Sequence, residues 1–374
     1  MSVPKTLQTR LVEFAASLRN AGAIRSADVE HAFSTVARHR CVREFRHGPT
    51  RIRVSQHELP SDEVLDLIYS HRSLLTSTGQ DGDPPSSSSA PTLMARMLDA
   101  LDLRPGMRVL EIGAGTGYNA ALISAITGGP VVTVEAGEAT AQSAAESIRR
   151  LDLEHRVRVV HGDGYLGAPS EPPFDRVVVT CGVAGVSPHW LDQLVPGGLI
   201  LAPVAHGGVH PVLAVSSGGD VVSAKVLLWA DFMPAAGPLR PVDLVSHDPA
   251  DYLPSAPATR IADASPARGN ADYHDLWVFL AAHDPRITRA YMADDSVNTA
   301  AGACALRTPR GTAWVQDDGS ITFTGESRVP EELRSLVRAW VSSGRPALTR
   351  FTATLSLTMS KQPLWVPCKW MVSS

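Results

Sequence analysis

Cysteine is scarce in this 374-residue chain. Cys41, Cys181, Cys304 and Cys368 are scattered, with no CxxC pair among them. That spacing argues against a zinc knuckle and a disulfide framework, so free thiols are the expectation. Aromatic residues reach only 6% and charged residues 19%, while 44% are hydrophobic. This is the composition of a folded globular chain. No apolar run approaches the ~18 residues of a membrane span. The opening Met1-Ser-Val-Pro-Lys also lacks a signal peptide's apolar core. The reading is a cytoplasmic protein without a membrane partner. A net charge of -4 provides no basic field, which argues against nucleic acid as the main partner. Thirteen histidines are present, yet His31, His39, His47, His57 and His71 show no metal spacing. His206 and His210 lie among Gly207, Gly208 and Pro211, where no helix would align them, so no metal is expected.

What the chain does have is Val109-Leu110-Glu111-Ile112-Gly113-Ala114-Gly115-Thr116-Gly117. An apolar run enters an acid, three glycines alternate with small residues, and a helix-like run from Tyr118 to Ile126 follows. Glycine tolerates positive φ and has no Cβ, so such a loop turns sharply and brings its backbone against a ligand. The helix that follows adds free N–H groups and the positive end of its dipole. The spacing E-x-G-x-G-x-G differs from the dehydrogenase G-x-G-x-x-G in register and in its leading acid. A second β-like run, Pro130 to Val134, ends in Glu135, roughly 20 residues on, where a carboxylate can accept both ribose hydroxyls. This is the pattern of class I S-adenosylmethionine (SAM) methyltransferases. A tight β-α turn without a ligand is the competing reading.

Around this motif, Leu7, Leu11, Phe14 and Leu18 fall on one helical face, Gly22 stops that helix, and a second spans Asp28 to Arg38. The stretch to about Leu67 reads as irregular. Ser77 to Pro91 (STGQDGDPPSSSSAP) reads as a loop, either a linker or a lid, ahead of a helix from Leu93 to Leu101. Strands and helices then alternate as in a doubly wound α/β sheet: Val157 to Val160 leading into His161-Gly-Asp-Gly-Tyr165, then Phe174 to Thr180. Next come a helix from Trp190 to Leu194, a turn at Pro196-Gly197-Gly198 and a strand from Leu199 to Val204. Asp163 can bond an adenine amino group, and Thr180 ends a strand, where ligands of open sheets sit. Residues 246–268 read as a linker or exposed loop. Beyond it, Ala313-Trp314-Val315 and Ile321-Thr322-Phe323 flank Asp318-Gly319 as a hairpin. Pro330 opens a helix carrying Leu333, Leu336, Val337 and Trp340 on one face and closing near Gly344. Phe351, Ala353, Leu355, Leu357 and Met359 alternate as a strand with one buried face. The domain reading is an N-terminal helical cap and connecting segment (1–75), a Rossmann-like methyltransferase core (76–235) and a smaller α+β accessory or substrate-recognition domain (236–374).

Seven runs of the chain, from LVEFAASLRNAGAI through VLEIGAGTGYNAALIS, VVTVEAGE, RVVHGDGYLGAP and PFDRVVVTCGV to LDQLVPGGLILAPV, with the serine loop ending at Ala90-Pro91, resemble protein-L-isoaspartate O-methyltransferases. The resemblance covers a little over half the chain. It implies that Glu111, Gly113, Ala114, Gly115, Thr116, Gly117 and Asn119 cradle SAM. Glu135 with Ala136 would take the ribose, Gly162, Asp163 and Gly164 the adenine end, and Thr180 the strand end beside it, with S-adenosylhomocysteine as product. The family's T-I-S-x-P element, which grips the substrate carboxylate, aligns with Ser87, Ser88 and Ser89. Here Ser88 replaces an apolar residue, and Thr92 stands where repair enzymes often carry histidine.

Those departures and the long C-terminal extension resemble homologues from peptide natural-product pathways of lanthipeptide, lasso or graspetide type. That resemblance implies esterification of an aspartate side chain in a modified ribosomal precursor peptide, leading to aspartimide or isoaspartate. The alternative is general isoaspartyl repair with an appendage. A third reading is a SAM-binding regulatory or scaffold protein. The expected partner is a peptide or protein bearing an Asp or isoAsp carboxylate, and the oligomeric state stays open.

Overall fold

A computed structural model of the chain describes residues 6–79, 84–218, 221–241, 259–261, 270–291 and 302–373. The residues separate into two compact units. The first comprises Met1–Cys181, Ser187–Ala202 and Met233–Leu239, and the second Gly182–Val186, Pro203–Phe232 and Arg240–Ser374.

The first unit opens with helices α1 (Leu7–Asn20) and α2 (Ala27–Thr35), capped by Thr6 and Ser26 hydroxyls that accept from Thr9 N and Val29 N. Leu11, Phe14 and Leu18 are buried from α1, and Phe14 packs edge-on against Phe33 of α2 and Tyr69. The stretch to Leu67, expected to be irregular, holds a hairpin of β1 (Glu44–His47) and β2 (Thr50–Arg53) and a helix α3 (Asp62–Ile68). The hairpin is short and mostly exposed, with arginines along it, so it lacks the alternation that marks a strand. Two further strands, β3 (Leu74–Ser77) and β4 (Ser86–Ser88), extend this sheet in the order β2-β1-β3-β4. The serine run is thus a strand in its last part, held by β3 through the register Leu74↔Ser88 and Leu75↔Ser87, although its composition signals only a loop.

Helix α4 (Pro91–Ala100), with Pro91 at its N-terminus, leads to the core sheet. Strands β5 (Val109–Ile112), β6 (Val131–Glu135), β7 (Val157–His161), β8 (Phe174–Val179) and β9 (Leu194–Pro203) run parallel in the order β9-β8-β5-β6-β7. Helices α5 (Tyr118–Thr127), α6 (Glu138–Arg150) and α7 (Pro188–Asp192) intervene. Every residue of β5 and β6 is buried, as expected for strands covered on both faces. The chain builds outward from β5 through β6 to β7, then returns to place β8 on the other side of β5. The β5/β8 boundary is therefore the point where strand order reverses, which is where open α/β sheets bind ligands. The Pro196-Gly197-Gly198 turn lies inside β9, which begins at Leu194 rather than Leu199, with Gly197 at φ 77°.

In the second unit, β10 (Val212–Gly218), β11 (Val221–Leu228), β17 (Phe351–Leu357) and β18 (Trp365–Val372) pair antiparallel, β10 to β11, β11 to β17 and β17 to β18. A separate sheet has the order β12-β16-β15-β14-β13, from β12 (Thr259–Ile261), β13 (Ile287–Ala290), β14 (Ala303–Thr308), β15 (Gly311–Val315) and β16 (Ile321–Gly325). Helices α8 (Asn270–His283) and α9 (Arg328–Ser342) belong to the same unit. The hairpin around Asp318-Gly319 forms with Val315 opposite Ile321, and Gly319 takes φ 81°. Helix α9 buries Leu333, Val337 and Trp340. The alternation expected over Phe351–Met359 buries Phe351, Ala353 and Leu355 only; Leu357 and Met359 are exposed. Of the expected linker 246–268, all but 259–261 lies outside the described residues.

Candidate active site

The glycine loop leaves β5 at Ile112, and Gly113, Gly115 and Gly117 take φ of 97°, 52° and 78°. A Cβ at Gly113 would stand 2.6 Å from Thr180 Oγ1, and one at Gly117 3.2 Å from Ala144 O. Thr180, just past β8, donates its hydroxyl to Gly113 O at 2.6 Å. It therefore braces the loop across the switch point, and that hydroxyl proton is already committed.

Full burial of Glu111 departs from the sequence expectation that it contacts SAM, whereas its partner Asn119 is only half-buried. Glu111 is 0% exposed. Its Oε1 accepts from Asn119 Nδ2 at 2.8 Å and its Oε2 from Thr133 Oγ1 at 2.6 Å. These bonds tie β5 to α5 and β6. Burial pushes the Glu111 carboxyl up to about 7, against the two hydrogen bonds that favour its ionised form.

Glu135 ends β6, and its carboxylate accepts from Gly115 N at 3.0 Å and Gly137 N at 3.2 Å. Each carboxylate oxygen keeps a further lone pair for a hydroxyl donor. Ala136, next in the chain, is exposed. Past β7, Gly162 and Asp163 lead into a 3-10 turn, Gly164–Leu166, where Asp163 Oδ1 accepts from Tyr165 N at 2.9 Å. Gly164 is buried, and a Cβ there would meet Ile112 Cγ2 at 2.8 Å. Ala114 and Thr116 are buried within the loop.

The serine strand meets this loop. A Cβ at Gly115 would lie 3.1 Å from Ser87 O and 3.9 Å from Ser86 Oγ, so the two backbones pass in contact. Of the three serines expected to orient a carboxylate, Ser87 and Ser89 are half-buried, but Ser88 is only 2% exposed. Side chains alternate along a strand, and Ser88 points inward, where its hydroxyl accepts from Arg38. Ser88 is therefore removed from the carboxylate-facing set. Among the described residues no group of three or more His, Cys, Asp or Glu side chains is placed to hold a metal ion. Nor is any helix there long and apolar enough to cross a membrane.

Four contributors to the site carry no local sequence cue. Arg38 anchors the serine strand. Thr133 shares Glu111. Trp190 donates its indole N–H to Gly164 O at 2.8 Å. Gln193 Oε1 accepts from Ala168 N at 2.9 Å while its Nε2 donates to Leu166 O at 2.8 Å, closing the turn after Gly164.

The glycines fit SAM on their own geometry: a cradle at the strand-order reversal, each position refusing a side chain, with an acid at the next strand end. A family profile described as Protein-L-isoaspartate(D-aspartate) O-methyltransferase matches residues 9–238, well over half the chain. A protein-L-isoaspartate O-methyltransferase of Thermotoga maritima is 41% identical over 153 residues, 39% of this chain and 48% of its own length. This chain thus spans about half of that relative. One from Methanopyrus kandleri is 36% identical over 165 residues, 44% of this chain and 70% of its own. A solved protein-L-isoaspartate O-methyltransferase structure shares the fold over 96% of this chain and 98% of its own, with TM-score 0.54 and 24% identity. The core carries the class I SAM-dependent methyltransferase fold, and the chain belongs to the protein-L-isoaspartate(D-aspartate) O-methyltransferase family.

Proposed function

We propose that this chain is a SAM-dependent carboxyl O-methyltransferase that esterifies isoaspartyl carboxylates in peptides and proteins. The observation that carries the reading is the contact of the serine strand with the glycine loop, Ser87 O against Gly115. It brings two half-buried hydroxyl-bearing residues, Ser87 and Ser89, beside the cradle expected to hold the cofactor. Bound SAM supplies an electrophilic methyl group on a sulfonium. Gly113, Gly115 and Gly117 would hold it by backbone approach, Glu135 by its ribose hydroxyls and Asp163 at the adenine end.

A side-chain carboxylate of pKa near 4 is ionised at neutral pH, so the substrate needs no general base. The chain's contribution is to bind that carboxylate, turn one oxygen toward the cofactor and exclude water around it. Ser87 and Ser89 hydroxyls suit this task because neutral donors orient the oxygen without a competing full charge, and excessive ground-state stabilisation would slow transfer.

A second reading keeps the same chemistry and changes the substrate to an aspartate of a modified precursor peptide. The C-terminal extension pointed that way in the sequence, but a solved isoaspartyl methyltransferase structure matches the fold over nearly all of this chain, extension included. The extension therefore does not separate the two readings. What favours the second is Thr92, half-buried in the first turn of α4, in place of the histidine that the resemblance implies.

Mass spectrometry with SAM, an isoaspartyl peptide, its aspartyl twin and a candidate precursor peptide tests both. Methyl-ester formation on the isoaspartyl peptide alone is the expected result. Esterification of the precursor alone, followed by loss of water relative to the unmethylated mass, would transfer the proposal to the second reading. No methylation of any of them would overturn both.

A further inference from the structure

Arg38 stands in a 3-10 turn, Arg38–Cys41, and is fully buried. A buried guanidinium is usually matched by a carboxylate. Among the described residues its hydrogen-bond partners are backbone carbonyls and one hydroxyl. Nη1 donates to Ile68 O at 2.8 Å and Ser70 O at 3.3 Å. Nη2 donates to Arg72 O at 3.4 Å, Ser88 O at 3.3 Å and Ser89 O at 2.9 Å. Ser88 Oγ accepts from Nε at 3.3 Å and from Nη2 at 3.2 Å. The Tyr118 ring lies 5.9 Å from the guanidinium carbon. One planar fork thus joins the end of α3, the turn before β3 and the serine strand.

This is a demanding arrangement. With no carboxylate partner for Arg38 among the described residues, its donors must be met by neutral acceptors, and a planar five-donor group suits several fixed carbonyls. Ser88 matters most to it, because its hydroxyl is the acceptor for Nε. Ser89 lies beyond the paired register of β3 and β4, so that ladder does not hold it, and Arg38 supplies a donor to its carbonyl instead.

We infer that Arg38, anchored on Ser88, is a positioning residue that sets the Ser87 and Ser89 hydroxyls for the substrate carboxylate. The inference rests on the proposed function. The carboxylate loses its charge as it becomes an ester, so donors to it hold the ground state at least as firmly as the transition state. Loosening them therefore raises KM more than it lowers kcat.

The test compares the full chain with R38K and S88A, the milder change that removes one acceptor and leaves the charge. Isoaspartyl-peptide kinetics, SAM affinity by calorimetry and hydrogen exchange over residues 84–91 are measured on each. R38K is expected to raise peptide KM about tenfold and S88A about threefold, with kcat within about threefold and SAM affinity within about twofold. Exchange over the serine segment should quicken in the same order. Unchanged KM and exchange in both variants would overturn the inference. So would loss of SAM affinity in step with KM, which marks general loosening of the unit. If the wild-type chain methylates no isoaspartyl or aspartyl peptide, the proposed function fails. Unchanged exchange over 84–91 would then still overturn the anchoring on which the inference stands.

Discussion

Replacing Glu111 with glutamine separates the cost of a buried charge from the worth of its hydrogen bonds. Glu111 is sealed between Asn119 and Thr133, and burial lifts its carboxyl from 4.5 to about 7. At about 1.36 kcal/mol per pKa unit, ionising it in the folded chain costs about 3 kcal/mol relative to the unfolded chain. The folded pKa lies above the unfolded one, so the stability is fully present below pH 4.5 and is lost as pH rises through about 7. Glutamine does not titrate and fits the same place: Oε1 accepts from Asn119, and Nε2 donates to Thr133 Oγ1 once that hydroxyl rotates. The expected result is near-equal stability at pH 4 and an advantage for E111Q of about 3 kcal/mol by pH 8.5. For a unit of this size that is on the order of 6–12 °C in the unfolding midpoint. Thermal unfolding of both proteins across this range, followed by near-ultraviolet circular dichroism, measures it. A difference that stays flat with pH, or one that turns further against glutamine as pH rises, would refute the reasoning.

Other outcomes follow from the same site. Gly113→Ala places a methyl on Thr180 Oγ1 at positive φ, and calorimetric titration should find SAM binding abolished or weakened at least about tenfold, a backbone strain of ~1–2 kcal/mol adding to the clash. Glu135→Gln should weaken SAM about tenfold or more, since a charged acceptor of hydroxyl donors contributes about 1.5–3 kcal/mol, while peptide KM at saturating SAM stays near wild type. Trp190→Phe removes the indole donor from Gly164 O, which still accepts from Gly167 N, and chemical denaturation should register a loss of about 0.5–1.5 kcal/mol. In the second unit, Trp340→Ala empties a side chain that is 1% exposed, and a cost of about 3–5 kcal/mol should appear as a lowered unfolding midpoint.

The core was legible because its signals are local. The apolar run before Glu111 and the alternating glycines are consequences of a strand buried on both faces and a loop that refuses Cβ atoms, and both leave their mark in consecutive residues. The division of labour inside the motif was not. Glu111 and Asn119 sit in the glycine-loop signature, yet their side chains serve each other and Thr133, and only strand pairing reveals this. Ser88 reads as one serine among four until the strand alternation turns it inward. Arg38 carries no pattern, because its partners lie thirty to fifty-one residues away in the chain. The β1–β2 hairpin was missed for another reason: a short exposed ribbon needs no hydrophobic alternation, so none is written.

The course of the chain between the two units has a practical consequence for dissecting the protein. Residues 182–186 and 203–232 belong to the second unit but are threaded into the sequence of the first. Ending the chain after Leu239 would keep β10 and β11 while deleting β17, whose Thr352, Ala353 and Thr354 pair with Lys225, Ala224 and Ser223. The shortened protein would display the bare edge of β11, a row of unmatched N–H and C=O groups ready to recruit another chain. Aggregation of such a truncate would report that broken edge and would say nothing about what the deleted portion contributes to substrate choice. Point substitutions within an intact chain are the sounder way to assign roles here.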